Sequence, residues 1–266
     1  MSNEIEPVIN SYKDIPQEHQ NAAILSEVAS DFYKGGKEMS EETLAYYEDS
    51  LPYVIDYENS TDLGIIAVHK DTGKATIVYR GTVPTNNSDL FYDVALATGN
   101  EGAHPQQNQA KEFMDKAVSL YEVESCASYS KGGAHCIANA GKYNIPSVMF
   151  NPGVSYEGAK QLSVFGYQES ARQTTWSDKL AKKYLPGYAM AQNLNNFRKG
   201  GYQGNVQIYR TNSDAVSVGT KVMSKKTHPN VNINSMPTRE DRDLNFPGWH
   251  DLTNFYDRKH PKRSKK

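Results

Sequence analysis

The sequence predicts an α/β protein with a mostly parallel central sheet flanked by helices. Three observations lead there. Residues 122–150 alternate strand, helix and strand: EVESCAS, then Ala134–Tyr143, then IPSVMF. Strands joined by a helix at this spacing form a βαβ unit and lie parallel. Further short β-rich runs, GIIAVHK, KATIVYR and NVQIYRT, stand on both sides of that unit. Stretches at 17–34 and 106–121 carry apolar residues at helical spacing, as helices packed on a sheet require.

The elements follow in order. In 17–34, Leu25, Val28, Ala29 and Phe32 fall at i, i+3, i+4 and i+7, and Lys34-Gly35-Gly36 supplies a helix stop. Ser40-Glu41-Glu42-Thr43 opens a second short helix. Tyr53–Tyr57, Gly64–Lys70 and Lys74–Arg80 read as strands, the latter two joined by a hairpin at Asp71-Thr72-Gly73. The segment 83–104 reads as polar and turn-rich, with an apolar island at Leu90, Phe91, Val94 and Leu96 that could serve as a lid. In 106–121, Phe113, Ala117 and Leu120 share one face. Residues 155–203 are polar, aromatic and irregular, with a helix expected around 177–199. Asn205–Thr211 is a strand, the chain to 247 is loop-rich, and Leu252–Tyr256 is a short helix. One domain is expected over 1–257, with 155–203 as a cap insertion and 258–266 as a basic tail.

Hydrophobic residues make up 38% and charged residues 23%, which excludes a disordered chain. No run approaches the roughly 18 apolar residues that span a bilayer. The first twenty residues are acidic and polar, without a signal-peptide pattern, so synthesis is expected in the cytoplasm, with virion association or non-classical release as routes beyond it. Cys126 and Cys136 are expected as two buried small hydrophobes, not a staple. Net charge is −2, giving no strong nucleic-acid signal, but RKHPKRSKK concentrates cations that suit an anionic membrane surface or a macromolecular assembly.

Ser130 sits between a strand and a helix in Ser128-Tyr129-Ser130-Lys131-Gly132-Gly133. A nucleophile elbow needs small residues two positions before and after the serine, because the backbone there is crowded. Ser128 and Gly132 meet that need. Such a turn also aims the first helical amides, Lys131 among them, at a developing oxyanion. A serine nucleophile needs a base and the base an orienter. Asp214 follows the strand 205–211 directly, and His250 comes later, giving the chain order Ser, Asp, His. His19, His69 and His104 precede the serine, His135 is too close to it, His228 is a reserve and His260 lies in the tail. Thr82, after the strand ending at Tyr79-Arg80-Gly81, offers an amide and a hydroxyl to the oxyanion. No Cys/His/Asp spacing argues for a metal, and no cofactor is expected.

These segments together resemble the class 3 (fungal-type) lipases of the α/β-hydrolase superfamily. ATIVYRGT is similar to that family's strand and oxyanion loop, SDLFYDV to the segment after it, and ASYSKGGAHCIANA to its elbow and helix. NSDAVSVG is similar to its acid loop and GWHDLTNF to its terminal histidine segment, while AAILSEVASDFY matches its N-terminal helix in style. The likeness runs over about 20–256 in short islands. Ser128 stands where the family has glycine, Tyr129 and Lys131 where it has histidine and leucine, and Ala215 where it has proline.

The resemblance implies an α/β-hydrolase fold and carboxylic ester hydrolysis on an ester or lipid substrate by a lipase, phospholipase or esterase. Ser130 would be the nucleophile, His250 the general base and Asp214 its orienter. Thr82 and the Lys131 amide would hold the oxyanion, and Tyr129 would contact substrate. The Lys131 charge beside the nucleophile would favour an anionic or polar substrate. A second class stays open: a silent hydrolase fold serving as a binding or structural module, such as a phage virion component, in keeping with the 18 tyrosines and the polar texture.

Overall fold

The computed structural model describes residues 9–32, 41–98, 104–153, 205–212, 214, 231–238 and 252–256. The expected cap at 155–203 with its helix, the glycines at 35 and 36, His228, His250, His260 and the basic tail lie outside the described residues.

Seven strands form one sheet: β1 (Tyr53–Ile55), β2 (Gly64–His69), β3 (Ala75–Tyr79), β4 (Val123–Tyr129), β5 (Ser147–Phe150), β6 (Val206–Thr211) and β7 (Val231–Met236). They lie side by side in chain order. The β1–β2–β3 meander is antiparallel, and the four pairings from β3 to β7 are parallel. The hairpin expected at 71–73 is present, closed by His69 N donating to Lys74 O at 2.8 Å.

The helices are α1 (Gln17–Phe32), α2 (Glu41–Ser50), α3 (Asn87–Thr98), α4 (Pro105–Leu120) and α5 (Gly132–Tyr143). Alternation along each strand splits the core between the two sheet faces. Ile66, Ile77, Tyr79, Cys126, Met149 and Ile208 join α4 and α5 on one face. Ile65, Ala67, Val78, Ala127, Val148, Phe150 and Tyr209 join α1 on the other. Residues 252–256 close over α1: Phe255 packs on Phe150 with ring centroids 5.1 Å apart, and the Tyr256 hydroxyl donates to Glu27. No helix among the described residues is long and apolar enough to cross a membrane.

Four expectations change. Segment 83–104 is no turn-rich loop, because α3 occupies Asn87–Thr98. Its start is marked by Asn86, whose Oδ1 accepts from Ser88 N at 2.9 Å. A strand, β7, lies in the region expected to be loop. Its sequence VNINSM is too polar to stand out, and among the described residues it pairs with β6 alone. On α4, Phe113 and Ala117 are buried but Leu120, the last residue of the helix, is 50% exposed. Cys126 and Cys136 are joined as a disulfide rather than packed as separate thiols. Helix α5 doubles back over the strand that precedes it, which brings the two Cα atoms to 6.2 Å, within bridging range.

Candidate functional site

The parallel strands β3, β4, β5 and β6 run in the same direction, so the segments after them gather at one sheet edge. Ligand sites of open parallel sheets lie at such edges. Ser130 is there, between β4 and α5, with φ 51. This left-handed conformation is costly for a residue with a side chain, and it clusters at functional sites. The strain is held by the surroundings. Ser130 N donates to Phe150 O at 3.1 Å, and Ser130 O accepts from Gly133 N at 2.9 Å and from Gly153 N at 2.7 Å. A Cβ on Gly132 would lie 2.5 Å from Tyr79 O, and one on Gly133 would lie 2.5 Å from Pro152 Cβ. The turn therefore accepts only glycine at both positions. Ser128 is fully buried in β4, and its Oγ has no hydrogen-bond partner among the described residues.

The segment after β3 meets this turn. A Cβ on Gly81 would touch the Tyr129 ring at 2.9 Å and the Ser130 Cβ at 3.4 Å. Thr82 follows, and its hydroxyl donates to both carboxylate oxygens of Asp93, at 2.8 and 3.0 Å. Burial raises the Asp93 carboxyl above its ordinary range, against the pull of the Thr82 hydrogen bond. The amides of Thr82 and Lys131 donate to no acceptor among the described residues.

Behind this loop lies a cluster of buried charge. Asp89, on the first turn of α3, is fully buried. Its Oδ2 accepts from Val83 N at 2.8 Å and from Arg80 Nη1; its Oδ1 accepts from Lys131 Nζ at 2.5 Å and Gln106 Nε2 at 2.8 Å. Arg80 Nη1 also donates to Gly81 O at 2.9 Å. Burial alone would raise the Asp89 carboxyl, but the Arg80 hydrogen bond and the Lys131 charge overcome it and hold the group at about 2. Lys131 is 2% exposed, which overturns its expected role toward an anionic substrate: its ammonium faces Asp89 and Gln106 in the interior. Burial lowers its pKa to about 8, with Asp89 opposing and Arg80 assisting the fall.

His135, on α5, is fully enclosed between Tyr79 and Tyr92. Its Nδ1 lies 3.0 Å from Gln107 Oε1, and its Nε2 has no partner among the described residues. Burial, then the nearby Lys131 charge, drives its pKa well below the usual histidine value. His104, expected in a lid, instead caps α4 by accepting from Gln106 N at 3.2 Å. His19 Nδ1 lies 2.7 Å from the Tyr209 hydroxyl, on the α1 side of the sheet.

Asp214 is fully buried just after β6, its amide donating to Thr211 O at 3.2 Å. The neighbouring strand end is fixed to it: Asn151, at φ 41 after β5, accepts from Thr211 N through Oδ1 at 2.9 Å. The sheet thus brings Thr82, Tyr129, Ser130, Lys131 and Asp214 to one edge. His250 lies outside the described residues. Sequence reasoning gave no role to Arg80, Asp89, Asp93 or Gln106. The signal for the two aspartates was their i, i+4 spacing in SDLFYDV, which sets both on one helical face. Among the described residues, no group of three or more His, Cys, Asp or Glu side chains could hold a metal ion. No family model matches the chain, and no curated protein matches it.

Proposed function

We propose that the protein is a serine hydrolase of the α/β-hydrolase type that cleaves carboxylic esters, with Ser130 as nucleophile. The observation that carries this reading is the left-handed Ser130, held on a strand-to-helix turn by glycines that admit no side chain. A plain turn ahead of a helix has no need of that strain; a hydroxyl raised to meet a carbonyl carbon does.

Ser130 attacks the ester carbonyl. His250 takes the hydroxyl proton and later delivers it to the leaving alcohol, and Asp214 orients the imidazole. The amides of Thr82 and Lys131 receive the oxyanion. The Thr82 hydroxyl already donates to Asp93, so its part is to hold the loop while the amide provides the donor. Leu90 and Phe91, 44% and 68% exposed on α3, offer apolar surface suited to an acyl chain.

The test is fluorophosphonate labelling read by mass spectrometry, with p-nitrophenyl ester turnover. An adduct on Ser130 and a loss of at least ~10⁴-fold in Ser130→Ala are expected. Equal turnover in Ser130→Ala and no adduct would sink the proposal and leave a scaffold that binds rather than cleaves.

A further inference from the structure

We propose that Lys131 is a positioning residue: with Asp89 it forms a buried latch that fixes the Gly81–Val83 backbone against the Ser130 turn. This inference rests on the serine-hydrolase reading above.

One carboxylate joins the two halves of the site. Lys131 is the residue directly after Ser130, and its Nζ reaches Asp89 at 2.5 Å. The other oxygen of Asp89 accepts from the Val83 amide at 2.8 Å and from Arg80, which itself holds Gly81 O at 2.9 Å. Gly81, Thr82 and Val83 are therefore gripped on both sides of Thr82. Gln106 braces both ends, donating to Asp89 at 2.8 Å and accepting from Lys131 at 3.1 Å. Each carboxylate oxygen has two close donors, so the acceptor sites of Asp89 are filled.

Two cations, Arg80 and Lys131, share the carboxylate of Asp89 in a water-poor interior, and Asp93 lies near both. The Lys131 charge sits behind the loop expected to receive negative charge from a tetrahedral intermediate, where a fixed charge acts more strongly than in water. The groups facing Lys131 from its neighbours are Arg80, Asp89, Tyr92, Asp93, His104, Gln106 and His135. The two histidines are shifted toward neutrality, and burial brings Lys131 down to about 8, so Lys131 changes charge near pH 8.

Removing the lysine charge leaves Asp89 paired with Arg80, so in Lys131→Met the buried carboxylate keeps a cationic partner. The experiment is p-nitrophenyl butyrate kinetics from pH 6 to 10 on wild type, Lys131→Met, Lys131→Arg and Ser130→Ala. Wild-type kcat is expected to fall on the alkaline side with a midpoint near 8. Lys131→Met is expected to lose about 10- to 100-fold in kcat at pH 7, with KM within about twofold and no limb near 8. Lys131→Arg is expected to recover much of kcat and carry the limb beyond the range, because a guanidinium stays charged.

A role in folding alone would not move the pH limb. Wild-type kcat in Lys131→Met, or a limb near 8 that persists in Lys131→Arg, overturns the latch. If Lys131→Met does not fold, the Lys131→Arg profile decides. If wild type turns over no faster than Ser130→Ala, the hydrolase reading fails and the latch falls with it. Turnover lost in Ser130→Ala but unchanged in the Lys131 variants overturns the latch alone.

Discussion

The Ser130 turn depends on single atoms. Adding one methyl at Gly132 places it 2.5 Å from Tyr79 O and 2.7 Å from Arg80 O, both backbone atoms at the end of the neighbouring strand. Gly132→Ala is expected to cost about 1–3 kcal/mol in urea unfolding, as overpacking does, and to abolish labelling of Ser130. A midpoint equal to wild type would mean the turn can relax, and the crowding argument would fail. The placement of Thr82, Ser130, Gly132 and Asp214 just after strands was legible, because a turn residue and the strand before it are local signals. Lys131 was not. Its charge is visible in the sequence, but the carboxylate that neutralises it, Asp89, stands 42 positions away, and only the packing of α3 against the β3 and β4 ends brings the two together. A cation beside a nucleophile then reads as a substrate contact until its burial is known.

At the scale of elements, the amphipathic stripe of α4 was read well in mid-helix and poorly at the helix end. Phe113 is 3% exposed and packs edge-on against Tyr79, with ring centroids 5.7 Å apart, whereas Leu120 is 50% exposed. Phe113→Ala is expected to cost about 3–5 kcal/mol. Leu120→Ser should stay within about 0.5 kcal/mol. Urea unfolding of the two variants checks both, and similar losses would contradict the burial pattern. The elements that escaped were α3 and β7. Helix α3 opens within Pro84-Thr85-Asn86-Asn87-Ser88, a polar run that mimics a loop, although Asn86 and Asp89 supply a helix start. In strand β7 the alternation Val231-Asn232-Ile233-Asn234 breaks at Ser235, so the period is too short to stand out from the polar sequence around it.

For the molecule as a whole, buried ionisable groups set the response to acid. His135 is held neutral by burial, so below about pH 6.5 the unfolded chain binds a proton that the folded chain refuses. Burial lowers His19 and His104 in the same direction. Asp89, held at about 2 against an ordinary 3.8, adds stability above 3.8 that is lost between 3.8 and 2. Unfolding free energy should therefore decline as pH falls from about 6.5, and more steeply below 4. Urea titrations at pH 7.5, 5.5 and 4 check this. His135→Gln should flatten the 7.5 to 5.5 portion, and a flat wild-type profile would refute the assignment. The α/β architecture itself was plain in the sequence, since the βαβ unit dictates parallel strands. The closing of residues 252–256 over α1 was not, because it joins segments more than two hundred residues apart. That closure bears on how the chain is made. Each strand of the sheet finds its neighbour already synthesised, so the sheet can assemble in step with the ribosome. The flank of α1 that carries Glu27, by contrast, waits for more than two hundred further residues before Tyr256 arrives to cover it. A nascent chain stalled short of residue 252 would hold a nearly complete sheet with its first helix half bare, a natural foothold for a chaperone.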